Sequence, residues 1–361
     1  MTTSAPAARS RKIFSSPWMV SRQFDVLWFF APLAVAAVAT LLLQQPGFMA
    51  PGLLSLFIVN AFGIGPMHQG PTWFFYFDKR NLDYWAQDRG RVMVYYVGPL
   101  IVTVVSVALA VWIPWLGLAI TTLWGIQHFV QQNLGMVTLY QNKNANEAVA
   151  PRQLLSRSLW TPAIYFVSIF FYRILAPAQE NVWATFAFTA LGLLALVDVL
   201  RYLLDLRRQV LAGAVINLPA LCFWAISILY FLPFAWPGQR IETAFLIPGT
   251  MHWCQYIGLN LILIKQKYKE GERRADIPCN ASLLMALVCF VCFFAFFTTH
   301  SIKFEFASGS MPFRFFLGLA VGMSNVHYYQ DAFFWRFREQ YQRDSILPFL
   351  LKDRKTAVSN T

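Results

Sequence analysis

Long apolar runs alternate with short charged clusters along the whole chain. The runs cover roughly 25–44, 49–68, 92–113, 115–139, 158–177, 181–204, 213–236, 242–264, 280–300 and 311–335. Each is close to the ~20 residues an α-helix needs to cross the hydrocarbon core of a bilayer. The third and fourth runs are separated by little more than Ile113-Pro114-Trp115, which predicts a tight helical hairpin. The pattern predicts an all-α fold, a polytopic transmembrane helical bundle of about ten spans. Residues 25–336 would form its single transmembrane domain, with cytoplasmic tails at 1–24 and 337–361.

The basic residues check the span count, because cytoplasmic loops of membrane proteins are enriched in Lys and Arg. With the N-terminus inside and ten spans, all but four of the 29 Lys and Arg residues fall on the cytoplasmic side. They run from Arg9 to Arg22, Lys79 to Arg91, Lys143 to Arg157, Arg201 to Arg208, Lys265 to Arg274 and Arg336 to Lys355. Arg173, Arg240, Lys303 and Arg314 remain outside. Trp183, Trp236 and Trp335 lie near span ends, as interfacial anchors do. The basic, Ser- and Ala-rich stretch at 1–18 has no short apolar core with a small-residue cleavage site, so a tail is expected rather than a signal peptide. The expected location is a bacterial cytoplasmic membrane, crossed many times, with both termini cytoplasmic.

Composition sharpens this picture. The chain of 361 residues is 57% apolar and 13% charged, where a soluble domain carries roughly 25% charged residues. Its mean hydropathy is +0.48. A net charge of +12 would point to nucleic acid in a soluble protein. Here the basic residues sit where topology places them, so the expected partners are the lipid bilayer and a hydrophobic small molecule, and no nucleic acid. Most of Cys222, Cys254, Cys279, Cys289 and Cys292 lie in apolar runs, so a disulfide framework is not expected. The Cys289/Cys292 pair reads as packing within a span. The stretch from Trp73 to Arg91 mixes aromatics with charges and fits either an interfacial helix or a connecting loop.

Histidine carries the strongest chemical signal. Of five, His68, His128, His252 and His327 lie in the second, fourth, eighth and tenth runs, all of which would cross from outside to inside. Each precedes the next cytoplasmic basic residue by roughly 9–15 positions, which at 1.5 Å per residue puts all four at a similar depth. A small residue stands three positions earlier in every case: Gly65, Gly125, Gly249 and Ser324. Three continue to a glutamine three positions later, at Gln131, Gln255 and Gln330. Residues three apart share a helix face, so each helix would present a small residue, an imidazole and usually a carboxamide. His300 falls in an outside loop and is set aside.

Imidazole is the commonest neutral nitrogen ligand for iron, zinc and copper. Four helices giving one ring each at one level can enclose a single ion, with Gln131, Gln132, Gln255, Gln330 and Asp331 as hydrogen-bonding partners of the distal ring nitrogens. A shell of histidines without thiolate suits a redox-active iron with open positions better than a closed zinc site. A lone membrane histidine can equally be a core residue bonded to a carbonyl, but four in one context are hard to explain separately. Other polar residues read more simply. Asp198 and Arg201 would pair near the interface, Asp25 would cap the first helix, and Asn60, Asn217, Asn260 and Asn325 would join helices.

At these residues the chain resembles the Brp/Blh-type β-carotene cleavage dioxygenases, polytopic membrane enzymes that hold one non-haem iron with four histidines. Pro66-Met67-His68-Gln69-Gly70 is similar to that family's Pro-His-Gly, Gln127-His128-Phe129 to its His-Phe, and His327 with Asp331 to its late His followed by Asp. The family's His-x-x-x-His is absent, and His252 would supply the remaining ligand. The resemblance implies an iron-dependent oxygenase that cleaves a carotenoid or another lipid-soluble substrate. Two other readings stay open: a haem-binding electron-transfer or haem-handling protein, and a proton or metal transporter. The residues do not distinguish iron (Fe2+) from another transition metal.

Overall fold

The computed structural model describes residues 13–43, 64–144, 147–175, 181–236, 244–267, 285, 286, 288 and 310–351. Among them the chain is almost entirely helical. Helix α1 runs over 22–43 as Arg22–Asp25, a π-helical turn Val26–Phe30 and Ala31–Leu43. Then come α2 (Ile64–Phe74), α3 (Lys79–Ala86) and α4 (Arg89–Trp112, with a π-helical turn at Met93–Val97). These are followed by α5 (Pro114–Gln141), α6 (Arg152–Leu175), α7 (Val182–Leu211), α8 (Leu218–Leu229) and α9 (Leu232–Ala235). Next are α10 (Leu246–Lys267), α11 (Met311–Phe334), α12 (Gln340–Ser345) and α13 (Leu347–Leu350). Two short strands, β1 (Phe14–Ser15) and β2 (Ile216–Asn217), pair in parallel.

Among the described residues five helical stretches are long and apolar enough to cross a membrane: Arg22–Leu42, Arg89–Trp112, Arg152–Leu175, Val182–Leu211 and Leu218–Ala235. Their apolar side chains are widely exposed, among them Val35, Leu100, Val104, Phe186, Leu193 and Leu196. Contiguous apolar surface of this kind is costly in water and suits lipid. The runs at 49–68 and 280–300 lie largely outside the described residues, as do Asn60, Cys279, Cys289, Cys292 and His300.

Helix ends follow local chemistry. Pro114 opens α5 directly after Ile113, so α4 and α5 do form a tight hairpin, with Gly117 against Leu109. Asn181 caps α7 by accepting from Trp183 N and Ala184 N. That helix runs on to Leu211, past the apolar run, because Arg and Leu are good helix formers whatever their hydropathy. It stops at Gly213, whose φ of 113° allows Ala214 N to reach Gln209 O and Gly213 N to reach Val210 O.

The described structure forms two compact units, with the division inside α5 between Gln132 and Asn133. The first holds β1, the end of α5, α6, α7, β2, α8 and α9. In it α6 packs along α7, Tyr202 stacks on Trp224 at 4.5 Å, and Trp224 Nε1 donates to Ser158 Oγ at 2.9 Å. Glu147 accepts from Ser15 Oγ, Asn144 Nδ2 and Asn217 Nδ2, which ties the strand pair to the loop after α5. Asn217 also caps α8 through Ala220 N. The second unit holds α1 to α4, α5 up to Gln132, and α10 to α13. Here α11 lies close along α4, and α10 packs on α1 and α2.

Two local expectations are corrected. Asp25 does not cap the first helix, which already starts at Arg22, and it is buried within the helical run. Asp198 pairs with Arg157 of α6 at 3.2 Å rather than with Arg201. The buried face of α7 carries Asp198 with Ala195, Tyr202 and Leu206, whereas Arg201 is exposed. The 73–91 stretch contains a helix, α3, capped by Asp78 through Arg80 N. Its buried Trp85 stacks on Tyr95 at 4.4 Å and on Phe334 at 5.7 Å.

Candidate metal centre

The four histidines come from four helices of the second unit: His68 from α2, His128 from α5, His252 from α10 and His327 from α11. All four are buried. Their ring centroids form a closed circuit: 5.0 Å from His68 to His252, 4.7 Å from His252 to His128, 5.0 Å from His128 to His327 and 4.7 Å from His327 to His68. Along these four edges the rings stand nearly perpendicular, at 77°, 80°, 73° and 88°. The diagonal from His252 to His327 is 5.9 Å. One ligand atom each from His68, His252 and His327 lie within 4.8 Å of one another, and the same holds for His128, His327 and Asp331. These groups could hold a metal ion.

The surroundings are aromatic and polar. Tyr328 lies 4.7 Å from His128, Phe129 lies 4.8 Å from His252, and Trp253 lies 5.7 Å from His68, all centroid to centroid. The small residues three positions before the histidines serve different ends. Space beside Gly125 is filled by the Tyr328 phenol of α11, and that beside Gly249 by Trp253 of the same helix. Ser324 Oγ accepts from Gln69 Nε2 at 3.0 Å.

The amides expected around the rings take other positions. Gln131 is exposed. Gln132 Nε2 donates to the backbone oxygen of His252 at 3.2 Å and reaches Gln255 Oε1 at 3.5 Å. Gln330 Nε2 donates to Tyr76 Oη at 2.9 Å. Gln132 and Gln330 thus donate to a backbone oxygen and to a neighbouring phenol rather than to ring nitrogens. The partner of a ring nitrogen is Thr72, whose Oγ1 lies 2.7 Å from His327 Nδ1. Sequence reading missed Thr72 and Tyr256, although each has a recognisable signal. Thr72 lies four positions after His68 and Tyr256 four after His252, one helical turn towards the same face.

These two hydroxyls set the direction of a hydrogen-bond chain. Tyr256 Oη donates to Asp331 Oδ1 at 2.8 Å, because a carboxylate only accepts. Its single proton is then used, so Thr72 must donate to Tyr256 Oη across 3.0 Å. Thr72 Oγ1 in turn accepts from His327 Nδ1–H. With Asp331 ionised the His327 tautomer follows: Nδ1 carries the proton and Nε2 is a bare lone pair. Asp331 Oδ2 faces that Nε2 at 3.8 Å and His128 Nε2 at 3.7 Å, both too long for a hydrogen bond. The Nε2 atoms of His128 and His327 and both ring nitrogens of His252 are buried with no hydrogen-bond partner among the described residues. Each neutral imidazole has one N–H and one bare nitrogen, and buried ring nitrogens without a partner are costly unless a cation takes up the bare ones.

The donor set fits a transition metal. Metal–nitrogen and metal–oxygen bonds of about 2.1 Å put two ligand atoms of one ion at most ~4.2 Å apart, and the Asp331 separations fall inside that limit. Two histidines with one carboxylate, as in His128, His327 and Asp331, are the set found in non-haem iron oxygenases. The spacing disfavours haem. A porphyrin must fit between its two axial rings, and here a third and a fourth imidazole stand about 5 Å from any such pair. Comparison of the chain with protein-family models, with curated proteins and with solved structures finds no match to any of them.

Proposed function

We propose that this protein is a membrane-embedded, metal-dependent oxygenase that acts on a lipid-soluble substrate such as a carotenoid. One observation carries the reading: four buried imidazoles from four helices close into a ring, and the Nε2 atoms of two of them, His128 and His327, lie within 4 Å of one oxygen of Asp331. His68, His128, His252 and His327 would hold a non-haem iron. Bound there, iron supplies one-electron chemistry with dioxygen that none of these side chains can supply alone. The chain's own residues prepare the site. Thr72 locks the tautomer and tilt of His327. Tyr256 fixes the Asp331 carboxylate. Tyr328, Phe129 and Trp253 wall the imidazoles with apolar ring faces that keep water away.

The membrane setting supports an apolar substrate, which would reach a buried site through lipid. Ten spans with both termini in the cytoplasm is the topology we propose, on the distribution of Lys and Arg and on five described helices apolar enough to cross. The test is elemental analysis of detergent-purified protein, followed by incubation with β-carotene under oxygen and assay for aldehyde. One metal per chain, lost in each His→Ala variant, together with aldehyde formation by wild type, is the expected result. Metal-free wild type refutes the site, and metal without turnover of any carotenoid refutes the substrate class.

A further inference from the structure

We infer that Asp331 is itself a ligand, so that the centre is five-coordinate, with four nitrogens and one carboxylate oxygen. The inference rests on the metal reading above and goes beyond it, since four histidines alone would suffice to hold an ion.

The first observation is which side of the rings Asp331 faces. A carboxylate that merely orients a metal-bound imidazole does so through the nitrogen far from the metal. On His327 that nitrogen is Nδ1, and Thr72 occupies it. Asp331 Oδ2 instead lies beside Nε2, the nitrogen left bare by the chain through Thr72 and Tyr256. The same oxygen lies beside Nε2 of His128, on a different helix. An oxygen on the lone-pair side of His327 occupies the metal's side of that ring, and it reaches the Nε2 edge of His128 as well.

The second observation is charge. Asp331 is buried, and among the described residues no lysine or arginine pairs with it. The phenol that donates to it, Tyr256, is neutral. A buried carboxylate without a cation is strongly unfavourable, and a cation placed beside Oδ2 also meets the Nε2 atoms of His128 and His327. Thr72 and Tyr256 therefore close a loop, from His327 through two hydroxyls to Asp331, that fixes two ligands of one ion relative to each other.

The consequence is a restriction on exogenous ligands. Five protein donors leave an octahedral ion a single open position, enough for one small monodentate molecule and too little for a chelating substrate. The lipid-soluble substrate is then held by the apolar walls, not by the metal.

The test uses cobalt(II) as the probe in full-length protein in detergent, because its visible absorption reports coordination number. Wild type should give the moderate absorption of a five-coordinate ion. Asp331→Asn should give the several-fold stronger absorption of a four-coordinate one, with binding at least tenfold weaker. Acetate added to Asp331→Ala should restore the wild-type spectrum by refilling the position. Tyr256→Phe and Thr72→Val should weaken binding by about 10–100-fold while keeping the five-coordinate spectrum, which separates positioning from ligation. A cobalt-loaded wild type whose spectrum is unchanged in Asp331→Asn overturns this inference alone. A wild type that takes up neither cobalt nor iron overturns the metal centre and this inference with it.

Discussion

Single residues in this protein are held by partners rather than by burial alone. Lys267 Nζ and Asp78 Oδ2 meet at 2.7 Å with both side chains almost fully enclosed. The pair joins the end of α10 to the cap of α3. Removing one member leaves the other charged and buried, which costs about 3–5 kcal/mol. Lys267→Met is therefore expected to lower stability by about 3 kcal/mol, read from denaturant-induced unfolding in detergent. Adding Asp78→Asn should recover most of that loss, because asparagine caps a helix as well as aspartate and carries no charge. If the double variant is no better than Lys267→Met, the charge argument is wrong. Asn325 follows the same logic at lower stakes. Its amide donates to Ser106 Oγ and to Thr121 Oγ1, on two other helices, in line with its expected part in joining helices. Such bonds contribute about 0.6–1.7 kcal/mol each.

At the scale of elements, α4 packs tightly on α11. It depends on two glycines one turn apart. A Cβ on Gly318 would lie 2.7 Å from Val107 Cα and 3.0 Å from Ala110 Cβ. One on Gly322 would lie 3.3 Å from Ser106 Cβ. The first obstacle is backbone, which cannot rotate aside, so the helices would have to separate. Gly318→Ala should cost about 1–3 kcal/mol, and Gly318→Leu should also displace His327, nine residues along the same helix, and weaken metal binding. Gly135 is the internal control. Nothing lies within 4 Å of its Cβ position, so Gly135→Ala should be neutral or stabilising by up to about 1 kcal/mol. Equal losses for Gly318→Ala and Gly135→Ala, measured by thermal unfolding, would remove the steric explanation. Gly213 limits a helix for a different reason. Its left-handed backbone charges any L side chain about 1–2 kcal/mol.

For the molecule as a whole, the proposed metal centre would link metal binding to folding. The four rings come from helices far apart in sequence, so the unfolded chain offers no such site. A ligand that binds only the folded state stabilises it by about 2.7 kcal/mol at a hundredfold excess over its dissociation constant. Chelator treatment should therefore lower the unfolding temperature of wild type, and restored iron should raise it. The His252→Ala and His327→Ala variants should show no such response. A wild-type unfolding temperature indifferent to metal would count against the centre. The proposed topology has its own check: single cysteines placed in the 1–24 and 337–361 segments should be labelled by a membrane-impermeant maleimide only after the bilayer is opened.

The sequence by itself determined the helical class and the four histidines, because both are repeating, local signals. A span is written in some twenty consecutive apolar side chains, and the small-x-x-His spacing recurs on one helix face. The sequence did not determine what each neighbouring polar residue does. Gln131, Gln330 and Asp331 all lie within a turn of a histidine, yet one is exposed, one bonds Tyr76 and one faces two imidazoles. Only the packing of α2, α5, α10 and α11 decides among these, since it fixes which face of each helix turns inward. The link from Thr72 to Tyr256 spans 184 positions and that from Thr72 to His327 spans 255. Such pairings arise from the tertiary approach of helices, and no local pattern encodes them.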